Sequence, residues 1–135
     1  MNQRPLSPHL GVYKFMYTMS LSILHRITGG AAAVGFLLFV WWLMALASGP
    51  AAYASAMSVL ATPLAKLLLV GFTFSFVYHF CNGIRHLVWD TGRGLERAQA
   101  RRSGAVVVVA ALLLTAATIW FACRAFGPLA LGLAP

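Results

Sequence analysis

The sequence predicts an all-α membrane protein with three transmembrane helices, and three observations lead to that prediction. Of the 135 residues, 61% are hydrophobic and only 9% are charged, and the mean hydropathy is +0.82. A soluble domain of this size could not bury so much apolar surface, because small domains have a large surface for their volume. Three long stretches also lack any charged residue, and turn-forming or basic segments separate them.

The three charge-free stretches are long enough to cross a bilayer as helices. The hydrocarbon core is roughly 30 Å thick, which a helix of about 20 residues spans. In lipid the backbone must satisfy its own hydrogen bonds, so helices are the expected form. The stretches are residues 27–47, 67–84 and 103–123.

Turn and capping residues indicate where the helices end. Residues 48–50, Ser-Gly-Pro, lie in the first connection. Thr62 before Pro63 is typical of an N-cap followed by a first-turn proline. Ser103 is a candidate N-cap of the third helix, and Gly-Pro at 127–128 is expected to end it. The prediction is one transmembrane domain, 1–135, with short connections and helices over about 22–47, 63–90 and 104–125.

Residues 1–20 are predicted to form an interfacial segment on the cytoplasmic surface, since they combine two prolines with an aromatic cluster. With a cytoplasmic N-terminus, eight of the ten Lys and Arg residues lie on that side and two on the far side, Lys66 and Arg124. This asymmetry predicts the cytoplasmic N-terminus. The net charge of +8 then indicates contact with the anionic lipid bilayer or with a partner on the cytoplasmic face, and it requires no nucleic acid.

The first 20 residues lack the arrangement of a cleaved signal peptide and the Arg- and Ser-rich pattern of a transit peptide. This favours a multi-pass protein of a bacterial inner membrane, or of the mitochondrial inner membrane if the chain is eukaryotic.

One face of the second predicted helix carries a polar stripe. At about 100° per residue, six residues fall within an arc of roughly 100°. Ionisable groups inside a membrane are costly and commonly mark function. The six residues are Ser75, His79, Asn82, Gly83, His86 and Asp90.

His79 is the deepest ionisable residue of this stripe. It lies about 16 Å along the helix from Asp90, near mid-membrane, whereas His86 is only about 6 Å from that end. A neutral imidazole at this depth is a structural hydrogen-bonding group, a proton relay, or an axial ligand of a metal or haem. Gly83, one turn further on, would let a flat porphyrin lie against the helix. Close helix packing is the alternative explanation for this glycine.

A haem held between two histidines needs both ligands at one depth on facing helices. His86 lies about 10 Å from His79 along the same helix. His25 is expected at the cytoplasmic end of the first helix, level with His86, and His9 lies in the surface segment. The haem hypothesis therefore predicts that another polypeptide, or a second copy of this one, supplies the second ligand.

The first helix presents a matching pair of polar groups. Ser22 and Arg26 share a face at i and i+4, so a hydroxyl and a guanidinium lie together at the level of His86 and Asp90. They could bind propionates or a small polar headgroup. The alternatives are an N-cap for Ser22 and a snorkelling interfacial anchor for Arg26.

Four features resemble the cytochrome b membrane-anchor subunit of succinate dehydrogenase (respiratory complex II), the larger of its two usual anchors. They are RPLSPHL at 4–10, SILHRITG at 22–29, HFCNGIRHLVWDTG at 79–92, and the three-helix hydropathy around them. The patterns S-x-x-H-R-x-[ST]-G and H-x-x-x-G-x-R-H-x-x-x-D, in that order, are far more specific than a lone histidine.

The resemblance implies a haem site. His79 would be one axial ligand of haem b, and the small membrane-anchor subunit would supply the other, so the haem is shared. His25 and Arg26 would lie near the haem propionates.

The resemblance also implies a ubiquinone site. Ser22 and Arg26 would line this pocket, which residues of the iron-sulfur subunit and the small anchor complete. His86 and Asp90 match the family pattern as well and are candidates for proton transfer or quinone-site support.

The chain carries no flavin or dinucleotide fingerprint and no iron-sulfur cysteine set. Succinate oxidation is therefore expected on the flavoprotein and iron-sulfur subunits, and this chain is expected to be a non-catalytic subunit that anchors them. Two alternatives remain open. One is a redox-inactive anchor or assembly protein, and the other is a small proton-conducting transporter subunit that uses His79, His86 and Asp90 as a relay.

Overall fold

The computed structural model describes residues 16–127 of the chain. These residues form four helices and no strand, which confirms the all-α class. Three of the helices are long and apolar enough to cross a membrane, as predicted. The helices are α1 (Tyr17–Ala47), α2 (Pro50–Leu60), α3 (Pro63–Asp90) and α4 (Arg97–Phe126).

Helix α1 begins earlier than predicted. Met16 is its N-cap in an extended conformation, and residues 17–20 belong to the helix. The last residues of the predicted interfacial segment are therefore helical, while residues 1–15 of that segment lie outside the described residues. The prediction placed the helix start close to the apolar stretch. The backbone hydrogen bonds of the helix extend N-terminally beyond the apolar stretch, because the membrane interface tolerates polar and aromatic residues.

Helix α4 also begins earlier than predicted, at Arg97. Ser103 consequently lies inside the helix and is not its N-cap, which is Glu96. The segment at 97–102 is rich in Arg, Ala and Gln, which are strong helix formers even where they are too polar for the hydrocarbon core. The C-terminal prediction is correct, because α4 ends at Gly127 with a φ of 73°.

The short helix α2 was not predicted. It begins with Pro50 directly after Gly49, whose φ is 105°. Its 11 residues extend about 16 Å, too short to cross a membrane. A first-turn proline followed by an alanine-rich segment was the available signal. The predicted cap of the next helix is confirmed, because the Thr62 side chain accepts a hydrogen bond from the Ala65 amide at 3.3 Å.

The three long helices pack as an antiparallel bundle. The buried Tyr78 hydroxyl donates to the Leu21 carbonyl at 3.2 Å, which joins the C-terminal half of α3 to the N-terminal half of α1. Tyr78 also packs against Val107 and Ala111 of α4. The start of α1, the end of α3 and the start of α4 therefore lie together, and we call this the basic end of the bundle.

Small residues let the helices approach closely. Gly35 of α1 lies against the ring of Phe72 on α3, and Gly104 of α4 lies against Leu21 of α1. In lipid, helix association depends on such close packing because the hydrocarbon around the helices is as apolar as their own side chains. The outward faces carry large exposed apolar residues such as Leu37, which is 71% exposed.

We expect Gly35→Ala to destabilise the bundle, because the added Cβ would overlap the Phe72 ring. Overpacking of this kind costs about 1 to 3 kcal/mol. The measurement is thermal unfolding in mild detergent. Gly71→Ala is the matched control, since a Cβ at Gly71 meets no atom within 4 Å. Equal melting temperatures for the two variants would contradict the α1–α3 packing described here.

Candidate functional site

Three histidine side chains from α1 and α3 meet near the basic end, and we call them the histidine cluster. The rings of His25 and His79 stack with centroids 4.0 Å apart and planes 8° apart. The His86 ring lies 5.0 Å from His25 at a tilt of 41°. All three residues are half-buried.

The position of His25 corrects the depth estimate made from the sequence. His25 was expected level with His86 and away from His79, but it contacts both. The two α3 histidines are about 10 Å apart along the helix axis, and one imidazole from α1 fits between them. Close approach is possible because α1 has a glycine there: a Cβ at Gly29 would lie 2.8 Å from Cε1 of His79.

The stacked rings also bear on ligand binding. Rings in direct face-to-face contact leave no space for a flat group between them. His25 therefore cannot be the ligand opposite His79 in this arrangement.

One hydrogen bond orients the His79 ring. Its Nδ1 lies 3.1 Å from the backbone oxygen of His25. A carbonyl oxygen only accepts, so Nδ1 carries a proton, and in the neutral ring Nε2 is then the nitrogen with the lone pair. This is the usual arrangement of a metal-binding histidine, whose second nitrogen is held by a carbonyl or carboxylate.

No group of three or more His, Cys, Asp or Glu side chains within 16–127 could hold a metal ion.

The space next to His79 on α3 is open. Gly83 lies one turn further along the same face, and a Cβ built there would meet no atom within 4 Å. No described helix of this chain packs closely against Gly83, so the alternative of close helix packing stays a prediction only for a helix of another subunit. At Gly83, this face of α3 is therefore accessible to a ligand or to another subunit.

The remaining predicted residues lie on the surface of this end. Ser22, Arg26 and Asp90 are exposed. Ser22 is inside α1, so the N-cap alternative for it is wrong. Asp90 is the last residue of α3, one turn beyond His86, and it is outside the histidine cluster. The structure therefore brings the three histidines together and leaves the other three residues facing outward.

Two cavities of the bundle lie away from these residues. One of about 910 Å³ is lined at the basic end by residues that include Tyr17, Trp89, Arg97 and Arg101. The other, of about 410 Å³, is an apolar space between α1, α2 and α3. No residue of the histidine cluster lines either cavity. The candidate site is thus an outward surface rather than either of these cavities.

Arg85 is the site residue to which sequence reasoning gave no role, although it belongs to the family pattern at 79–90 and was counted among the basic residues. It is 7% exposed. Its Nε donates to Ser103 Oγ at 2.9 Å, Nη1 to Asn82 Oδ1 at 3.2 Å, and Nη2 to the Ala100 carbonyl at 2.8 Å. Its guanidinium also lies 3.9 Å from the centre of the Trp89 ring. The available signal was its position inside a spanning helix, where a charge needs partners.

Asn82 connects Arg85 to the histidine cluster. It is 1% exposed, and its Nδ2 lies 3.3 Å from Nε2 of His86. A hydrogen-bonded series therefore runs from the α4 backbone through Arg85 and Asn82 to His86.

These features define a class of protein: a multi-pass helical membrane protein with a half-buried histidine cluster between two helices and polar residues facing outward beside it. Comparison with known proteins makes the identification more specific. Residues 1–118 match the family described as succinate dehydrogenase/fumarate reductase transmembrane subunit.

Individual relatives carry names that agree with this family match. The chain is 44% identical over 114 residues to the succinate dehydrogenase cytochrome b556 subunit of Rickettsia prowazekii, covering 84% of this chain and 89% of the relative. It is 40% identical over 116 residues to the b556 subunit of Paracoccus denitrificans, covering 86% and 89%. It is 39% identical over 114 residues to the mitochondrial cytochrome b560 subunit of Homo sapiens, covering 83% and 68%.

The chain therefore belongs to the family of succinate dehydrogenase/fumarate reductase transmembrane subunits. It is a multi-pass protein of an inner membrane, and as a membrane subunit of such a complex it assembles with other subunits.

We expect Arg85→Lys to lower the stability of the bundle by about 1 to 3 kcal/mol, because a lysine keeps the buried charge but cannot reproduce the fork of three hydrogen bonds. Thermal unfolding in detergent measures the change. The matched control is Arg124→Lys, since Arg124 is exposed and lies 5.4 Å from the Trp120 ring; we expect it to change stability by less than about 0.5 kcal/mol. If both variants melted alike, the buried hydrogen bonds of Arg85 would not contribute as described.

Proposed function

We propose that this chain is the haem b-binding membrane-anchor subunit of a succinate:ubiquinone oxidoreductase. It holds the flavoprotein and iron-sulfur subunits at the membrane and forms part of the ubiquinone reduction site. The observation that carries the proposal is the orientation of His79, whose Nδ1 is held by the His25 carbonyl, so that Nε2 is the nitrogen left to bind iron.

His79 is the proposed axial ligand, through Nε2. The residues around it fit a porphyrin, because Gly83 leaves open space one turn further along the same face. The curated relatives are named cytochrome b556 and cytochrome b560 subunits, and those names support a b-type haem here. When bound, the haem iron accepts and returns one electron at a time.

The second axial ligand is proposed to come from the small membrane-anchor subunit. His25 is stacked on His79 and cannot lie opposite it across a porphyrin. His86 shares α3 with His79, and α4 contains no histidine. A ligand from outside the chain is consistent with the open face beside Gly83. We propose that His25 and Arg26 lie near the haem propionates, where the guanidinium would balance the carboxylate charge.

Ser22 and Arg26 are proposed to bind ubiquinone. They are exposed one turn apart on α1, so a hydroxyl donor and a fixed positive charge face outward together. Quinone carbonyl oxygens gain negative charge as electrons arrive, and donors placed beforehand at those oxygens stabilise that charge. The iron-sulfur subunit and the small anchor would complete the pocket.

His86 and Asp90 are proposed to support proton delivery to this site. Asp90 is exposed at the end of α3, where it can exchange protons with water, and His86 lies one turn deeper. Protons would then enter from the same side as the quinone pocket.

The basic end of the bundle is proposed to face the cytoplasm. Most described basic residues lie at that end, and the opposite end carries Lys66 and Arg124. This distribution supports a cytoplasmic N-terminus under the positive-inside rule. The basic-end residues are Arg26, Arg85, Arg93, Arg97, Arg101 and Arg102.

A dithionite-reduced minus oxidised absorption spectrum of the complex purified through this chain tests the haem assignment. We expect sharp b-type bands in the wild type and their loss in His79→Ala, because Nε2 of His79 would be the iron ligand. His86→Gln is the control and keeps the bands, since that variant changes a histidine on the same helix but no ligand.

Two outcomes would contradict the haem assignment. Bands that persist in an assembled His79→Ala complex would assign the ligand elsewhere. A featureless spectrum from an intact wild-type complex would favour the redox-inactive anchor or the proton-conducting subunit.

Steady-state quinone reduction tests the role of Arg26. We expect Arg26→Leu to raise the KM for ubiquinone or to lower kcat by about tenfold or more, the loss expected for a charge-assisted hydrogen bond. Succinate oxidation with an artificial dye should be unchanged, because it does not use the quinone site. Arg102→Leu is the control, being an exposed arginine of the basic end on α4. Wild-type quinone kinetics in Arg26→Leu would rule out this role.

A further inference from the structure

Arg85 holds the side-chain amide of Asn82 in one orientation. A guanidinium has only N–H donors, so the Asn82 atom 3.2 Å from Nη1 must be the carbonyl oxygen, Oδ1. Asn82 is 1% exposed, and water is not available to stabilise the flipped amide. Arg85 is itself fixed by Ser103 and Ala100 on α4. The packing of α3 on α4 therefore sets the direction of the Asn82 amide.

This orientation determines which nitrogen of His86 carries the proton. With Oδ1 facing Arg85, the NH₂ group of Asn82 faces Nε2 of His86 at 3.3 Å. An amide NH₂ only donates, so Nε2 must accept. A neutral imidazole that accepts at Nε2 carries its proton on Nδ1.

The surroundings of His86 also hold its ring in place. The Trp89 ring meets it edge to face, with centroids 5.1 Å apart and planes at 82°, and His25 lies on another side. Among residues 16–127 the structure gives His86 one hydrogen bond, the one from Asn82. His79 differs in this respect, because its Nδ1 already donates to a backbone carbonyl. The Nδ1–H of His86 is thus left available to a group outside the described chain.

We propose that Arg85 and Asn82 are positioning residues that keep the proton of His86 on Nδ1, so that His86 is a hydrogen-bond donor to an oxygen atom of the bound redox group. This inference rests on the proposed function and gives His86 a defined role in it. The acceptor is an anionic or carbonyl oxygen, from either a porphyrin propionate or a quinone carbonyl. A donor in this place would stabilise negative charge on that oxygen.

The tautomer is measured directly by ¹⁵N solid-state NMR of the histidine-labelled complex, with the His86 signals identified by their loss in His86→Gln. In the wild type we expect Nδ1 in the range of a protonated nitrogen and Nε2 in the range of an unprotonated one. Asn82→Leu removes the amide, and we expect a mixture of both tautomers. Ser103→Ala is the matched control: it removes one acceptor of Arg85 but not the contact with Asn82, and the wild-type tautomer should remain.

Kinetics and redox titration identify the acceptor. If it is a quinone carbonyl, His86→Leu raises the KM for ubiquinone by about tenfold and leaves the haem midpoint potential unchanged. If it is a propionate, the same variant lowers the midpoint potential and leaves the KM unchanged. His86→Gln restores most of the affected value, because its amide can still donate. Asn82→Leu shifts the same quantity in the same direction by a smaller amount.

Three results would overturn the proposal: a wild-type His86 protonated on Nε2, an unchanged tautomer in Asn82→Leu, or a His86→Leu complex in which neither the KM nor the potential changes. The NMR result is independent of the wider functional assignment. A complex without b-type bands would refute the haem site, whereas the tautomer of His86 would still show whether Arg85 and Asn82 orient it.

Discussion

The buried guanidinium of Arg85 is the constraint on which the basic end of the bundle depends. Hydrocarbon offers no hydrogen bonds, so a charge inside a spanning helix must find its acceptors within the protein. Arg85 finds three of them on α3 and α4, without a carboxylate, and adds the face of Trp89. Sliding α4 along α3 would leave these donors unsatisfied. The helix register, and with it the direction of the Asn82 amide, follows from this one side chain.

The bundle therefore has two kinds of polar surface. Where the three long helices meet, the polar groups of Tyr78, Asn82 and Arg85 are buried and bonded within the chain. Away from it, His79 has an oriented ring beside the open space at Gly83. The first surface holds the helices together, and the second is where we propose that the haem and the small anchor subunit bind. A subunit that contributes part of a shared site is expected to look like this, and membership of a family of complex membrane subunits agrees.

Much of this could be predicted from the sequence, and the exceptions have identifiable causes. Hydropathy indicated the three spanning helices, and Thr62 and Gly127 were recognised as their caps. The polar and basic starts of α1 and α4 were missed because a hydropathy pattern marks the hydrocarbon core, whereas helical hydrogen bonding extends into the interface. Ser103 was predicted to be the N-cap of α4 because it begins the charge-free stretch, whereas the helix itself begins at Arg97. The short helix α2 was missed because it is not a spanning segment.

The sequence by itself determined the class of protein and the residues that share one face of α3, because apolar length and the 3.6-residue period are properties of a single chain segment. Only the tertiary structure decided that His25 lies between His79 and His86 and that Arg85 is buried. Those facts depend on how closely two helices approach. That distance is set by the small residues on the opposing surfaces, such as Gly29 against His79 and Gly104 against Leu21, and no period within one helix encodes it.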